Sequence, residues 1–138
     1  MNNAEQTITC FLIDDDPDEK IILQLALEEL SGNFEIVTAM DGMAALKKLK
    51  RFTFEPDFIF LDINMPRMNG RMCLMELKKL EQLNDIPVII YTTSSDKKEK
   101  QEMLTLGATD YITKPVTEAD LVRELSRVFK LRSVKHTA

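Results

Sequence analysis

Five short apolar runs recur along the chain, each of strand length: "TITCFLI" (7–13), "FEIVTA" (34–39), "DFIFLD" (57–62), "PVIIYT" (87–92) and "DYIT" (110–113). Each is followed by a stretch with helical spacing. Near-continuous apolar strands alternating with helices call for a parallel sheet covered on both faces, and right-handed crossovers leave few topologies for it. The first helix is expected to start with Asp16 as N-cap, Pro17 at the first helical position and Glu19 at the third, where a capping box places its acid. It carries the stripe Leu23, Ala26, Leu27 and Leu30 to about Ser31, and Gly32 stops it. Further helices are expected over 41–52, about 69–83 and about 95–106, with Gly107 as the stop of the last of these. The final helix follows Thr117 as N-cap and buries Leu121, Leu125, Val128 and Phe129. The fold class is therefore α/β, a (βα)5 three-layer sandwich. The polar helix at 95–106 offers only Met103 and Leu106 to the core and is expected to be the most weakly packed.

Composition narrows the function. A chain of 138 residues suits one domain, drawn here as residues 7–131 between tails at 1–6 and 132–138. The net charge of −5 argues against nucleic acid as a partner. The only locally basic stretch is the tail with Lys130, Arg132 and Lys135. Cys10 and Cys73 fall in apolar stretches without disulfide or zinc spacing and read as small buried hydrophobes. The start "MNNAEQTIT" lacks the basic and apolar regions of a signal peptide, and no apolar run reaches membrane-span length. A cytoplasmic protein is expected, with no membrane contact. The eight methionines read as core filler, with Met65 and Met68 anchoring the loop after Asp62, and the single His136 sits in the tail without an assigned role.

The polar residues converge at one end of the sheet. Strand one ends in Asp14-Asp15-Asp16, strand three in Asp62 and strand four in Thr92-Thr93-Ser94, and strand five is followed by Lys114-Pro115. The carboxyl ends of parallel strands are where functional groups gather in such sheets. Clustered carboxylates without His or Cys suit a hard cation, and Mg2+ needs only one or two of them plus a phosphate. A lysine and a hydroxyl can hold the other oxygens of a phosphoryl group, and a carboxylate can itself accept phosphate. Asp62, the lone carboxylate at the end of its strand, is the candidate acceptor. Two rival readings have weaker support. Asp14 and Asp16 have the D-x-D spacing of aspartate-nucleophile phosphatases, but Pro17 follows at once and no cap domain is evident. A nucleotide-binding Rossmann module needs a glycine-rich turn after strand one, and none of the glycines at 32, 42, 70 and 107 lies there.

The stretches "FLIDDDP", "FLDINMPRMNG", "IPVIIYTTSS" and "GATDYITKP" together resemble the receiver domain of two-component response regulators, the CheY-like fold. The resemblance spans nearly the whole chain and implies a five-stranded parallel sheet of order 2-1-3-4-5. It implies that Asp62 is the phosphoacceptor, that Asp15 ligates Mg2+ directly with Asp14 helping through water, and that the backbone carbonyl of Asn64 adds a ligand. Thr92 would hydrogen-bond the phosphoryl group, Lys114 would pair with one of its oxygens, and Tyr111 would be the aromatic switch that moves inward as Thr92 is drawn to the phosphate. The Lys114–Pro115 peptide is expected to be cis. Thr93 is bulkier than the family's usual Ala, Ser or Gly, and Asn64 and Ser94 occupy positions that tune dephosphorylation. The implied partners are a sensor histidine kinase or histidine phosphotransfer protein and an unidentified downstream protein. The state is monomer or phosphorylation-dependent homodimer, the dimer face being the charged one with Lys97, Lys98, Lys100, Asp120, Arg123 and Arg127. With too few residues after Lys130 for a DNA-binding module, the chain reads as a stand-alone regulator. It is no enzyme beyond catalysing its own phosphorylation and dephosphorylation. Ile21, Ile22 and Leu25, outside the core stripe of the first helix, are a candidate docking patch for the phosphodonor protein. A receiver that signals without phosphate is disfavoured, since every one of these site residues is present.

Overall fold

The computed structural model describes residues 6–51, 54–65 and 68–137. Five strands, β1 (Thr7–Ile13), β2 (Asn33–Ala39), β3 (Phe58–Leu61), β4 (Val88–Thr92) and β5 (Asp110–Thr113), alternate with five helices, α1 (Asp18–Leu27), α2 (Gly42–Lys50), α3 (Gly70–Leu77), α4 (Lys97–Thr105) and α5 (Glu118–Thr137). The sheet is parallel throughout in the order β2-β1-β3-β4-β5, the doubly wound α/β fold the sequence pattern calls for.

Side chains of successive strand residues point to opposite faces, and the core divides accordingly. Phe11, Ile13, Ile59, Leu61 and Ile90 pack with Ala45, Leu49, Leu74, Leu77 and Met103 from α2, α3 and α4. Cys10, Leu12, Phe58, Phe60, Ile89 and Tyr91 pack with Leu23, Ala26, Leu27, Leu121, Leu125 and Val128 from α1 and α5. Phe129 is partly buried there, its ring stacked on Phe34 and edge-on to Phe58. Both cysteines are fully buried, and burial pushes their thiols up to about 12. Met103 is the one fully buried residue of α4, so this helix does present the thin apolar stripe foreseen. No helix is long and apolar enough to cross a membrane, among the described residues.

Several boundaries differ from expectation for local reasons. α1 closes at Leu27, and residues 29 and 30 tighten into i→i+3 bonds (Glu29 N–H to Ala26 O, Leu30 N–H to Leu27 O) before Gly32 turns with φ +124°. The helix expected over 69–83 is split. α3 ends at Leu77, the extended backbone of Leu80 (φ −87°, ψ 112°) breaks the coil, and a single 3-10 turn at Glu81–Leu83 returns Leu83 to the core. α5 carries its helix on through the residues expected as the C-terminal tail, to Thr137. Residues 1–5 of the expected N-terminal tail lie outside the described residues, as do Pro66 and Arg67 and the side chains of Arg132, Lys135 and His136. The Lys114–Pro115 peptide is not cis: no cis bond occurs among the described residues. Trans is the lower-energy isomer by default, and with it the Lys114 N–H donates to Thr92 O at 2.6 Å.

Candidate functional site

Strand register builds the site. Ile13 pairs with Leu61 and Leu61 with Ile90, so Asp14 and Asp62 leave adjacent strands at one level, with Thr92 close by on β4. The Asp62 N–H still donates to Ile13 O and the Asp14 N–H to Ala39 O, each at 3.0 Å, which fixes both carboxylates at the sheet edge. Asp14 and Asp62 are buried and Asp15 is exposed, and oxygens of all three lie within 4.8 Å of one another. Asp16 faces solvent. Its carboxylate accepts from the Asp18 N–H at 2.9 Å and so starts α1, with Pro17 already at helical φ and ψ. The D-x-D partner of the phosphatase reading is thus spent on a helix cap.

Lys114 crosses from the end of β5 to donate to Asp14 Oδ2 at 2.8 Å. Burial opposes its charge, but the Asp14 hydrogen bond, with the charges of Asp14, Asp62 and Glu19, outweighs burial and holds its pKa above the usual lysine range. For Asp62 the balance goes the other way. Burial is the largest influence and raises its pKa; Lys114 lowers it, Asp14 raises it, and the Asn64 N–H and the Thr92 hydroxyl lower it. The Asn64 N–H donates weakly to Asp62 Oδ1 at 3.4 Å. Thr92 Oγ1 is fully buried and lies near enough to Asp62 to favour its charged form, but among the described residues it completes no hydrogen bond of full geometry.

The expected switch residue Tyr111 is already buried, its hydroxyl donating to Ser94 O at 3.0 Å beside the Thr113 hydroxyl at 3.1 Å. Met65 is buried and Met68 partly so, with its sulfur over Gly42, as expected of anchors for the loop after Asp62. On the α4–β5–α5 side, Arg127 binds Asp110 at 2.5 Å and Glu124 at 2.8 Å, and Arg123 pairs with Asp120. These charges are therefore partnered within the chain.

The structure adds residues that the sequence pattern did not single out as part of the site. Glu19 does not close a capping box. It turns inward, buried, to accept from the Tyr91 hydroxyl at 3.2 Å and to pair with Lys114 Nζ at 3.4 Å. Outside the site, Arg71, on the first turn of α3, donates through Nε and Nη2 to the Glu102 carboxylate of α4, at 2.8 and 2.5 Å.

The arrangement offers oxygen ligands without thiol or imidazole, a lysine and an unspent buried hydroxyl around one buried carboxylate. That donor set fits a hard divalent cation and a phosphoryl group. Comparison with known proteins agrees. Residues 10–126 match the model of the response regulator receiver domain. The chain is 35% identical over 138 residues to the transcriptional regulatory protein PrrA of Mycobacterium leprae, covering all of this chain and 57% of that protein. Other curated relatives are matched over smaller shares of their length. Among solved structures, the phosphorylated cyanobacterial phytochrome response regulator RcpA superposes with a TM-score of 0.79 at 30% identity, over 89% of this chain and 91% of that one. The Mn2+-bound form of response regulator Rcp1 gives 0.76 at 27% identity, over 88% and 91%. Phosphorylation and Mg2+ binding at an acidic pocket are general to receiver domains, which work with histidine kinases or phosphotransfer proteins. Matched over most of its length in sequence and in fold, the chain belongs to the response regulator receiver domain family.

Proposed function

We propose that this chain accepts a phosphoryl group on Asp62 from a sensor histidine kinase or histidine phosphotransfer protein and changes conformation in response. The observation that carries the reading is the Thr92 hydroxyl, fully buried beside Asp62, close enough to favour its charged form but completing no hydrogen bond of full geometry among the described residues. A buried polar group left unpaired is costly, and a phosphoryl oxygen on Asp62 is the acceptor that would satisfy it. One Asp62 oxygen attacks phosphorus. The bond from phosphorus to the donor nitrogen, or to the acetate oxygen of a small donor, breaks and the donor keeps its electron pair. Lys114 turns from Asp14 to a phosphoryl oxygen, and Asp14, Asp15, Asp62 and the Asn64 carbonyl would hold Mg2+. Bound there, Mg2+ neutralises charge on the transferring group. Drawing Thr92 toward the phosphate moves the segment ending at Ser94, whose carbonyl holds Tyr111. This biases two conformers. The chemistry is confined to the chain's own phosphorylation and dephosphorylation, in the cytoplasm. Incubation with acetyl phosphate and Mg2+ tests the reading: intact mass gains one phosphoryl group, and no gain with this donor, together with no beryllofluoride binding, defeats it.

Docking of the donor protein is assigned to α1. Ile21, Ile22 and Leu25 expose 58%, 43% and 48% of their surface. Val116, two residues beyond Lys114, is fully exposed. Charging the patch with Ile21→Glu and Leu25→Glu is expected to slow transfer from the cognate donor protein about tenfold and to leave acetyl phosphate rates unchanged. Equal rates with the protein donor would remove α1 from the interface.

A further inference from the structure

Lys114 does not rest on Asp14 alone. Its Nζ lies 2.8 Å from Asp14 Oδ2, 3.4 Å from Glu19 Oε2 and 5.2 Å from the centre of the Tyr91 ring. The Tyr91 hydroxyl donates to the other oxygen of Glu19, Oε1, at 3.2 Å. Both oxygens of one carboxylate are thus engaged, one by a phenol and one by the lysine. Tyr91 is 1% exposed and packed edge-on to Phe60 in the core between the sheet, α1 and α5, so its hydroxyl is a fixed point. Glu19 is 9% exposed in the first turn of α1. A buried carboxylate held in this way is not a solvated surface acid, and helix capping does not account for it.

We infer that Glu19, oriented by Tyr91, is a positioning residue that pulls Lys114 to the α1 side, favouring a divalent cation at Asp14 and opposing a phosphoryl group on Asp62. The inference rests on the reading of Asp62 as acceptor and goes beyond it, because it assigns opposite signs to two binding steps. Asp14 has two claimants for its lone pairs, Lys114 and the cation. Whatever share of the lysine's charge Glu19 holds is withdrawn from Asp14 and leaves those lone pairs to the metal. The negative charge of Glu19 adds to the attraction. A phosphoryl oxygen faces the reverse. It must take Lys114 away from Glu19 and approaches against the Glu19 charge in a partly desolvated site, where such charges are weakly screened.

Glu19→Gln keeps the side chain's shape and an oxygen for the Tyr91 hydroxyl but removes the charge. Calorimetric titration with Mg2+ alone is expected to show affinity about three- to tenfold weaker than wild type. Titration with beryllofluoride at saturating Mg2+ is expected to show affinity tighter by a similar factor. Tyr91→Phe removes only the hydroxyl that orients Glu19 and should move both constants in the same opposed directions by smaller factors. A merely structural role would weaken both ligands together or change neither, and either result overturns the inference while the acceptor reading stands. Wild-type protein that binds Mg2+ but not beryllofluoride, and gains no mass from acetyl phosphate, defeats the acceptor reading and this inference with it.

Discussion

Asp62→Asn is expected to gain no mass from acetyl phosphate and Mg2+ under conditions in which the wild type gains one phosphoryl group. The amide matches the carboxylate in shape and can still accept from the Asn64 N–H, which donates to Asp62 Oδ1 in the structure. What it lacks is an anionic oxygen able to attack phosphorus. Asp14 and Asp15 are close enough to be rival acceptors, but Asp14 is engaged by Lys114 and Asp15 is exposed to solvent. Full-stoichiometry labelling of the variant would move the acceptor to one of them. The same substitution should raise thermal stability at neutral pH without Mg2+ by a few degrees. Burial is the main reason the Asp62 pKa is raised, and the Asp14 charge adds to it. A carboxyl whose folded-state pKa lies above its unfolded value binds more protons folded than unfolded between the two. Its ionisation therefore costs stability as pH rises through that window, and the cost is full above the folded-state pKa. The gain from Asp62→Asn should accordingly be present at neutral pH and disappear at acid pH, where both states are protonated. Added Mg2+ should stabilise the wild type more than the variant, which has lost one of three carboxylates. Melting curves at two pH values, with and without Mg2+, check both signs.

The sheet and the acidic end of the site were readable from sequence because parallel strands stack the same way round. Residues that end strands one, three, four and five must meet once the strands are in register, and the pairing of Ile13 with Leu61 and of Thr92 with Thr113 brings Asp14, Asp62, Thr92 and Lys114 together. Glu19 was misread because its third position in a helix is locally sufficient to explain an acid. Its actual partner Tyr91 is 72 residues away, and no spacing rule links them. A tyrosine just before the strand-four threonine, inside an apolar run, was the available signal, since a buried phenol needs an acceptor. The break in α3 is hidden in the sequence for a related reason. Leu77, Leu80 and Leu83 keep a helical spacing in sequence, yet Leu80 takes up extended backbone and the chain re-forms as a 3-10 turn that packs Leu83 into the core.

Gly70→Ala should be the most damaging single-methyl change near the site. The glycine opens α3 directly after the loop that follows Asp62, and its N–H donates to Ile63 O at 2.8 Å. A Cβ at this position would lie 2.4 Å from Ile63 Cα and 2.7 Å from Asp62 O. These contacts are with backbone, so no rotamer change relieves them, and either α3 moves outward or the segment 62–63 moves into the sheet. Outward movement strains the Asn69 cap on the Met72 N–H at 2.9 Å and the packing of Cys73 and Leu74. Inward movement displaces the Asp62 N–H from Ile13 O. The expected loss is about 3 kcal/mol of unfolding free energy, measured by urea denaturation. The displacement also carries Asp62 away from Thr92 and Lys114, so the folded fraction should label with acetyl phosphate more slowly than wild type. Gly42→Ala is the matched comparison, because its added Cβ meets chiefly Met68, Sδ at 2.8 Å, a flexible side chain that can give way, and Cys73 Cβ at 3.2 Å needs to yield by only a few tenths of an ångström. Equal destabilisation by the two substitutions would show that the close backbone approach at Gly70 does not set the position of the Asp62 loop.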